Sequence, residues 1–184
     1  MSSGHEGHDG VDALQDIAAT DPFADLYAAN TDFVAQFHDA QLTRRAARGL
    51  AIVTCMDSRI TPLAVVGMGI GDCKILRNAG ARVTQDVLRT LVLATYLLGV
   101  DRVLVMPHTD CRMAQVDEAV IHETIAAEFG VDTRSLEFQT ARDQREALAV
   151  DVTRIRSFPL LPASVVVAGA IYDVRTGRLE PVDC

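Results

Sequence analysis

Apolar residues recur at helical spacing from Val11 to His38, at Leu14, Ile17 and Ala18 and then at Phe23, Leu26 and Tyr27. The pattern predicts two N-terminal helices, with Pro22 opening the second and Asp21 as its cap. From Gly49 the pattern changes to short β-branched runs alternating with helical stretches. Leu50 to Thr54, Cys73 to Leu76, Arg102 to Met106 and Ser164 to Val174 read as strands. Between them, Pro62 to Gly67, Thr84 to Leu98, Asp117 to Phe129 and Ala141 to Ser157 read as helices. Gly99 and Gly130 follow two of these as C-caps, Thr84 suits a helix start, and Pro159 stops the last helix. Thr176-Gly177 turns the chain into Arg178 to Val182, a predicted antiparallel edge.

Repeated βα units imply a parallel sheet with right-handed crossovers. The expected fold is α/β, with strand order 2-1-3-4, an antiparallel edge strand, helices on both faces and extended N-terminal helices. Residues 1–10 read as a disordered tail, 11–48 as a helical arm and 49–184 as one α/β core. There is no internal repeat and no linker. In this strand order, strands 1 and 3 are neighbours, and a crevice opens at their C-terminal ends.

That crevice is where the chemistry collects. Strand 1 ends at Cys55 and strand 3 ends at His108, with Cys111 following in the turn after two intervening residues. Two sulfurs and an imidazole suit zinc. A structural zinc site closes with four ligands, whereas a catalytic one leaves a position for water, so three ligands point to catalysis. Asp57 should face the same way as Cys55, with Met56 turned into the core. It is a fourth ligand in a closed state, or the partner of Arg59, whose planar fork matches a carboxylate. Asp57 therefore reads as a gate.

The segment Arg77-Asn78-Ala79-Gly80 closes strand 2. Ala79 and Gly80 are candidate substrate-binding residues, because small side chains let backbone approach a site; an ordinary strand-to-helix turn is the equal alternative. Cys73 reads as a core residue and Cys184 as a free, exposed thiol. His38 and His122 read as surface histidines or proton relays, and His5 and His8 as tail residues with weak metal affinity at most.

The chain has 184 residues and a formal net charge of −8, which disfavours nucleic acid as a partner. Its four cysteines are too sparse for a disulfide scaffold. No apolar run is long enough to span a bilayer, and the polar start, Met1 to Gly10, carries no secretory signal, so a cytoplasmic location is expected.

The three segments Cys55-Met56-Asp57-Ser58-Arg59, Arg77-Asn78-Ala79-Gly80 and His108-Thr109-Asp110-Cys111 together resemble the β-class carbonic anhydrases, in their short bacterial branch. The likeness runs from about Leu26 to the C-terminus. It implies one zinc on Cys55, His108 and Cys111, a catalytic pair of Asp57 and Arg59, and reversible hydration of carbon dioxide to bicarbonate. It also implies a homodimer or a dimer of dimers, with the cleft at the dimer interface and the N-terminal helix reaching across. Enzymes of the same fold that hydrolyse carbonyl sulfide or carbon disulfide are the nearest alternative, and a non-catalytic zinc-binding module is the second. The chain departs from the family pattern at Arg112, where glycine is usual. That arginine either pairs with Asp110, Asp117 or Glu118 at the surface or draws anions toward the zinc.

Overall fold

The computed structural model describes residues 21–38 and 41–184. The tail at residues 1–10 and the first predicted helix lie outside them. The chain divides into two compact units, Met1–Leu42 and Thr43–Cys184.

In the first unit, helix α1 spans Ala24–Ala35. It begins two residues after Pro22, because the Asp21 carboxylate accepts the Phe23 N–H at 2.8 Å and holds Pro22 and Phe23 in a turn. Phe23, Leu26, Tyr27, Phe33, Val34 and Phe37 are all exposed.

The second unit contains five strands: β1 (Leu50–Cys55), β2 (Cys73–Asn78), β3 (Arg102–Met106), β4 (Val166–Tyr172) and β5 (Leu179–Val182). Their order is β2-β1-β3-β4-β5. The first three pairings are parallel and the β4–β5 pairing is antiparallel, as the sequence predicts. Every residue of β1 is buried, which explains its unbroken apolar run: a central parallel strand is covered on both faces.

Helices α2 (Pro62–Val65), α3 (Gln85–Leu97), α4 (Arg112–Gln115), α5 (Glu118–Phe129) and α6 (Gln144–Arg156) connect the strands. Ala51, Val53, Val103 and Val105 pack with Leu88 and Leu91 of α3 and Leu148, Val152 and Ile155 of α6. Leu50, Ile52 and Met106 pack in a second core with Ile60, Val65 and Met113. Alternation along β1 and β3 thus fills one core on each face of the sheet.

Caps decide where the helices begin. Thr84 accepts the Val87 N–H at the start of α3. Asp143 accepts the N–H groups of Arg145 and Glu146, so α6 starts at Gln144 and not at Ala141 as the pattern suggested. Strand β4 likewise begins at Val166, two residues later than expected, and stops at Tyr172. Helix α5 ends on Gly130 in the left-handed region, as predicted.

One buried ion pair ties α6 to the segment that follows β2. Arg82 Nε donates to Asp151 Oδ2 at 2.7 Å, and Arg82 also donates to the Gln139 carbonyl. Removing one partner strands the other charge in the interior. Asp151→Ala should therefore lower unfolding free energy by about 3 kcal/mol, measured by urea denaturation. A loss below about 0.5 kcal/mol would show that the pair holds nothing together.

Candidate metal centre

The parallel register brings β1 and β3 to an end side by side. The last β1–β3 pair is Thr54 with Met106, and Cys55 follows at once on β1. His108 forms an isolated parallel bridge with Tyr172 beyond the end of β3. One ligand atom each from Cys55, His108 and Cys111 lies within 4.8 Å of the others, and all three residues are buried. Among the described residues this is the group that could hold a metal ion.

The imidazole is set up for that task. Its Nδ1 lies 2.8 Å from the Thr109 carbonyl, so the ring proton sits there and Nε2 presents a lone pair. Nε2 is buried and has no hydrogen-bond partner among the described residues. A buried acceptor left unmatched carries a free-energy penalty, which a cation at the three ligands removes. The Gln144 side chain fixes the same residue from behind, donating to the His108 carbonyl at 2.8 Å.

The sulfurs are electrostatically unequal. A hydrogen bond from the Cys111 thiol holds the Cys55 thiol well below its usual range, against burial, with His108 and the Asp57 and Gly80 amides assisting. The Cys55 sulfur and burial push the Cys111 thiol up. Burial opposes a charged His108, but the Cys55 sulfur outweighs it and raises the imidazole. A dication that replaces these shared protons lets both thiols ionise. The Gly80 N–H points at Cys55 Sγ from 3.4 Å. Gly80 has φ of +77° and a Cβ there would meet Met113 Cβ at 3.1 Å, so glycine serves the close approach.

Asp57 lies beside the three ligands, its Oδ2 3.7 Å from His108 Nε2. Arg59 grips it along one edge, Nε to Oδ1 at 3.0 Å and NH2 to Oδ2 at 2.7 Å. The guanidinium holds the Asp57 carboxyl well below the usual carboxylate range. Asp110 takes the other edge, with Arg59 NH1 donating to its Oδ2 at 2.8 Å.

Arg77 has a role that its place in a motif did not reveal. It donates to three carbonyls of the Cys55–Ile60 turn: Cys55 at 2.9 Å, Ile60 at 3.2 Å and Asp57 at 2.6 Å. An arginine near the end of a half-buried strand was the available signal, since its five donors can gather several backbone carbonyls at once.

Several expectations need correction. Met56 is not in the core: it is 68% exposed. Its N–H still pairs with Asn78, so alternation sends its side chain opposite to Cys55, where β3 has already ended and no layer of this unit covers it. Arg112 does not pair with any of the three acids proposed for it. Asp110 binds Arg59, Asp117 binds Arg142, and Glu118 accepts the Phe138 and Gln139 N–H groups. Arg112 instead starts the short helix α4, exposed. His122 is half-buried rather than superficial, with Nδ1 2.8 Å from Thr133 Oγ1 and its ring 5.2 Å from that of Phe138. Cys73 packs in the second core, and Cys184 is exposed and free, both as expected. His38 is exposed, while His5 and His8 lie outside the described residues.

The sequence pattern of the carbonic anhydrase family matches residues 50–179. The chain belongs to this family, in its β class. The β-carbonic anhydrase 1 of Mycobacterium tuberculosis is 32% identical over 86% of this chain and 96% of its own length. A crystal structure of carbonic anhydrase from Streptococcus mutans superposes with a TM-score of 0.84 at 36% identity, covering 89% of this chain and 99% of that one. A carbon disulfide hydrolase of Acidithiobacillus thiooxidans is 27% identical over 73% of this chain and 77% of its own length. Carbonic anhydrases of this class are zinc lyases, and the buried ligand group of this chain suits that metal.

Cys55→Ser and His108→Ala should each abolish the binding of one zinc per chain, read by elemental analysis of purified protein. Undiminished zinc in either variant would remove that residue from the ligand set.

Proposed function

We propose that Cys55, His108 and Cys111 hold the zinc of this carbonic anhydrase and that Asp57 and Arg59 form its catalytic pair. The reaction is the reversible hydration of carbon dioxide to bicarbonate and a proton. The observation that carries the residue assignment is the unmatched His108 Nε2, buried among two sulfurs, with the Asp57 carboxylate 3.7 Å away.

Zinc held there supplies a Lewis acid that makes a water molecule acidic near neutral pH and so able to attack. This chain's residues shape that attack. Asp57 is ionised and can only accept a hydrogen bond, so it orients the proton of the attacking oxygen and turns a lone pair toward the carbon. Arg59 keeps Asp57 from closing on the metal as a fourth ligand. The Gly80 amide tempers the negative charge on the Cys55 sulfur. Ala79 and Gly80, in the short turn after β2, are assigned to the substrate side of that sulfur because such small residues let backbone come close.

Carbon disulfide is the second reading, because a hydrolase of that gas is among the relatives. It demands the same attack on a linear, electrophilic carbon. Hydrogen sulfide release from carbon disulfide and carbonyl sulfide, set against stopped-flow carbon dioxide hydration, separates the two. A non-catalytic zinc module is disfavoured by the Asp57–Arg59 pair, which a purely structural site has no use for.

The arm at residues 11–48 and the exposed apolar residues of α1 suit a homodimer or a dimer of dimers, in which the arm lies on a neighbouring subunit. We also propose a cytoplasmic location, and the net charge of −8 disfavours nucleic acid as a partner. Among the described residues no helix is long and apolar enough to cross a membrane.

Asp57→Asn should retain zinc and lose about a hundredfold or more in hydration rate, because the amide can donate and misorient the attacking oxygen. Near-wild-type turnover would show that Asp57 is not the gate. A chain shortened to residues 43–184, which keeps the whole second unit, should dissociate or aggregate in analytical ultracentrifugation; a clean, active monomer would contradict the arm's role.

A further inference from the structure

Arg59 does more than pair with Asp57. Its Nε and NH2 groups donate to the two Asp57 oxygens at 3.0 and 2.7 Å, while NH1 and NH2 donate to Asp110 Oδ2 at 2.8 Å and to the Asp110 carbonyl at 3.1 Å. The guanidinium is planar and its N–H groups form a rigid fork, so fixing one edge fixes the direction of the other. Asp110 itself is held in place. Its φ of 57° lies in the left-handed region, which aspartate adopts more readily than most residues other than glycine and asparagine. Gln115 Nε2 donates to its Oδ1 at 2.8 Å. The left-handed turn and the glutamine together present Oδ2 to Arg59.

Among the described residues the Arg59 side chain has no other hydrogen-bond partner. Its side chain is 45% exposed, and a long, rotamer-rich side chain released on one edge gains freedom by moving into water. Arg77 cannot substitute for Asp110, because it holds only the backbone of the Asp57 turn. The pairing also joins the β1 turn that carries Cys55 to the β3 turn that carries His108 and Cys111.

We propose that Asp110 is a positioning residue for the Asp57–Arg59 pair, fixing the plane of the Arg59 guanidinium from the opposite edge so that Asp57 stays aimed at the attacking oxygen. This rests on the role given above to Asp57. Asp110 touches neither substrate nor metal in this scheme; it acts through Arg59.

The test uses Asp110→Gly, which keeps the left-handed backbone without a Cβ, and Asp110→Asn, which keeps the shape and removes the charge. In full-length, zinc-loaded protein, zinc content and KM for carbon dioxide should stay at wild-type values. The kcat should fall about tenfold in Asp110→Gly and by less in Asp110→Asn. In an Arg59→Ala background the added Asp110→Gly change should alter kcat by less than about twofold, since its target is already gone. Nitrogen-15 NMR gives a readout independent of turnover: the Arg59 Nε–H should exchange slowly with water in the wild type and rapidly in Asp110→Gly. Wild-type kcat together with slow Arg59 Nε–H exchange in Asp110→Gly would overturn the proposal, as would an undiminished tenfold loss in the Arg59→Ala background. A wild-type enzyme without carbon dioxide hydration would instead overturn the function, and the NMR comparison would then decide by itself whether Asp110 holds Arg59. If Asp110→Gly fails to fold, Asp110→Asn carries the same comparisons.

Discussion

Two sulfurs that both want to ionise cannot share a dry pocket unless positive charge lies between them. That constraint organises the site. As long as only protons are shared, the pocket favours the thiolate at Cys55 and the protonated thiol at Cys111. Among the described residues His108 Nε2 has no hydrogen-bond partner. A dication resolves all of this together, because it neutralises both thiolates and occupies the lone pair.

The ligands converge because the backbone turns that carry them are pinned by polar side chains, not because apolar packing alone shapes the loops. Arg77 collects the carbonyls of the first turn, and Gln144 holds the carbonyl of His108. Arg59 bridges the first turn to the second through Asp57 and Asp110. Behind them, Arg82 and Asp151 dock α6, the helix that carries Gln144, against the segment that follows Gly80. Hydrogen bonds of this kind have fixed geometry, so they can hold ligands to within the tolerance that catalysis requires. The two apolar cores set the sheet; the arginines set the turns.

The same division explains where reading the chain succeeded. Strand order, the antiparallel edge and the neighbourhood of Cys55 and His108 were legible, because βα alternation leaves few topologies open. Helix starts slipped where a cap outweighed periodicity, as at Asp143 and around Pro22. Met56 was misplaced because alternation assumes a layer on both faces, and at the end of β1 one layer is missing. Arg112 was assigned acids that other arginines, or backbone amides, had already taken.

The sequence by itself determined the class of fold and pointed to the Cys55, His108 and Cys111 group that could hold a metal and to the Asp57–Arg59 pair beside it, through residue type, spacing, strand period and family resemblance. Which partners those side chains take was decided only by the tertiary structure. Arg77 on three carbonyls, Asp110 on the far edge of Arg59 and Glu118 on two distant amides are all contacts between residues well separated along the chain. A charged side chain has many partners within reach in sequence, and three-dimensional placement selects among them. Periodicity reports which face a residue occupies, whereas a hydrogen bond also needs distance and angle, and those exist only after the chain has folded.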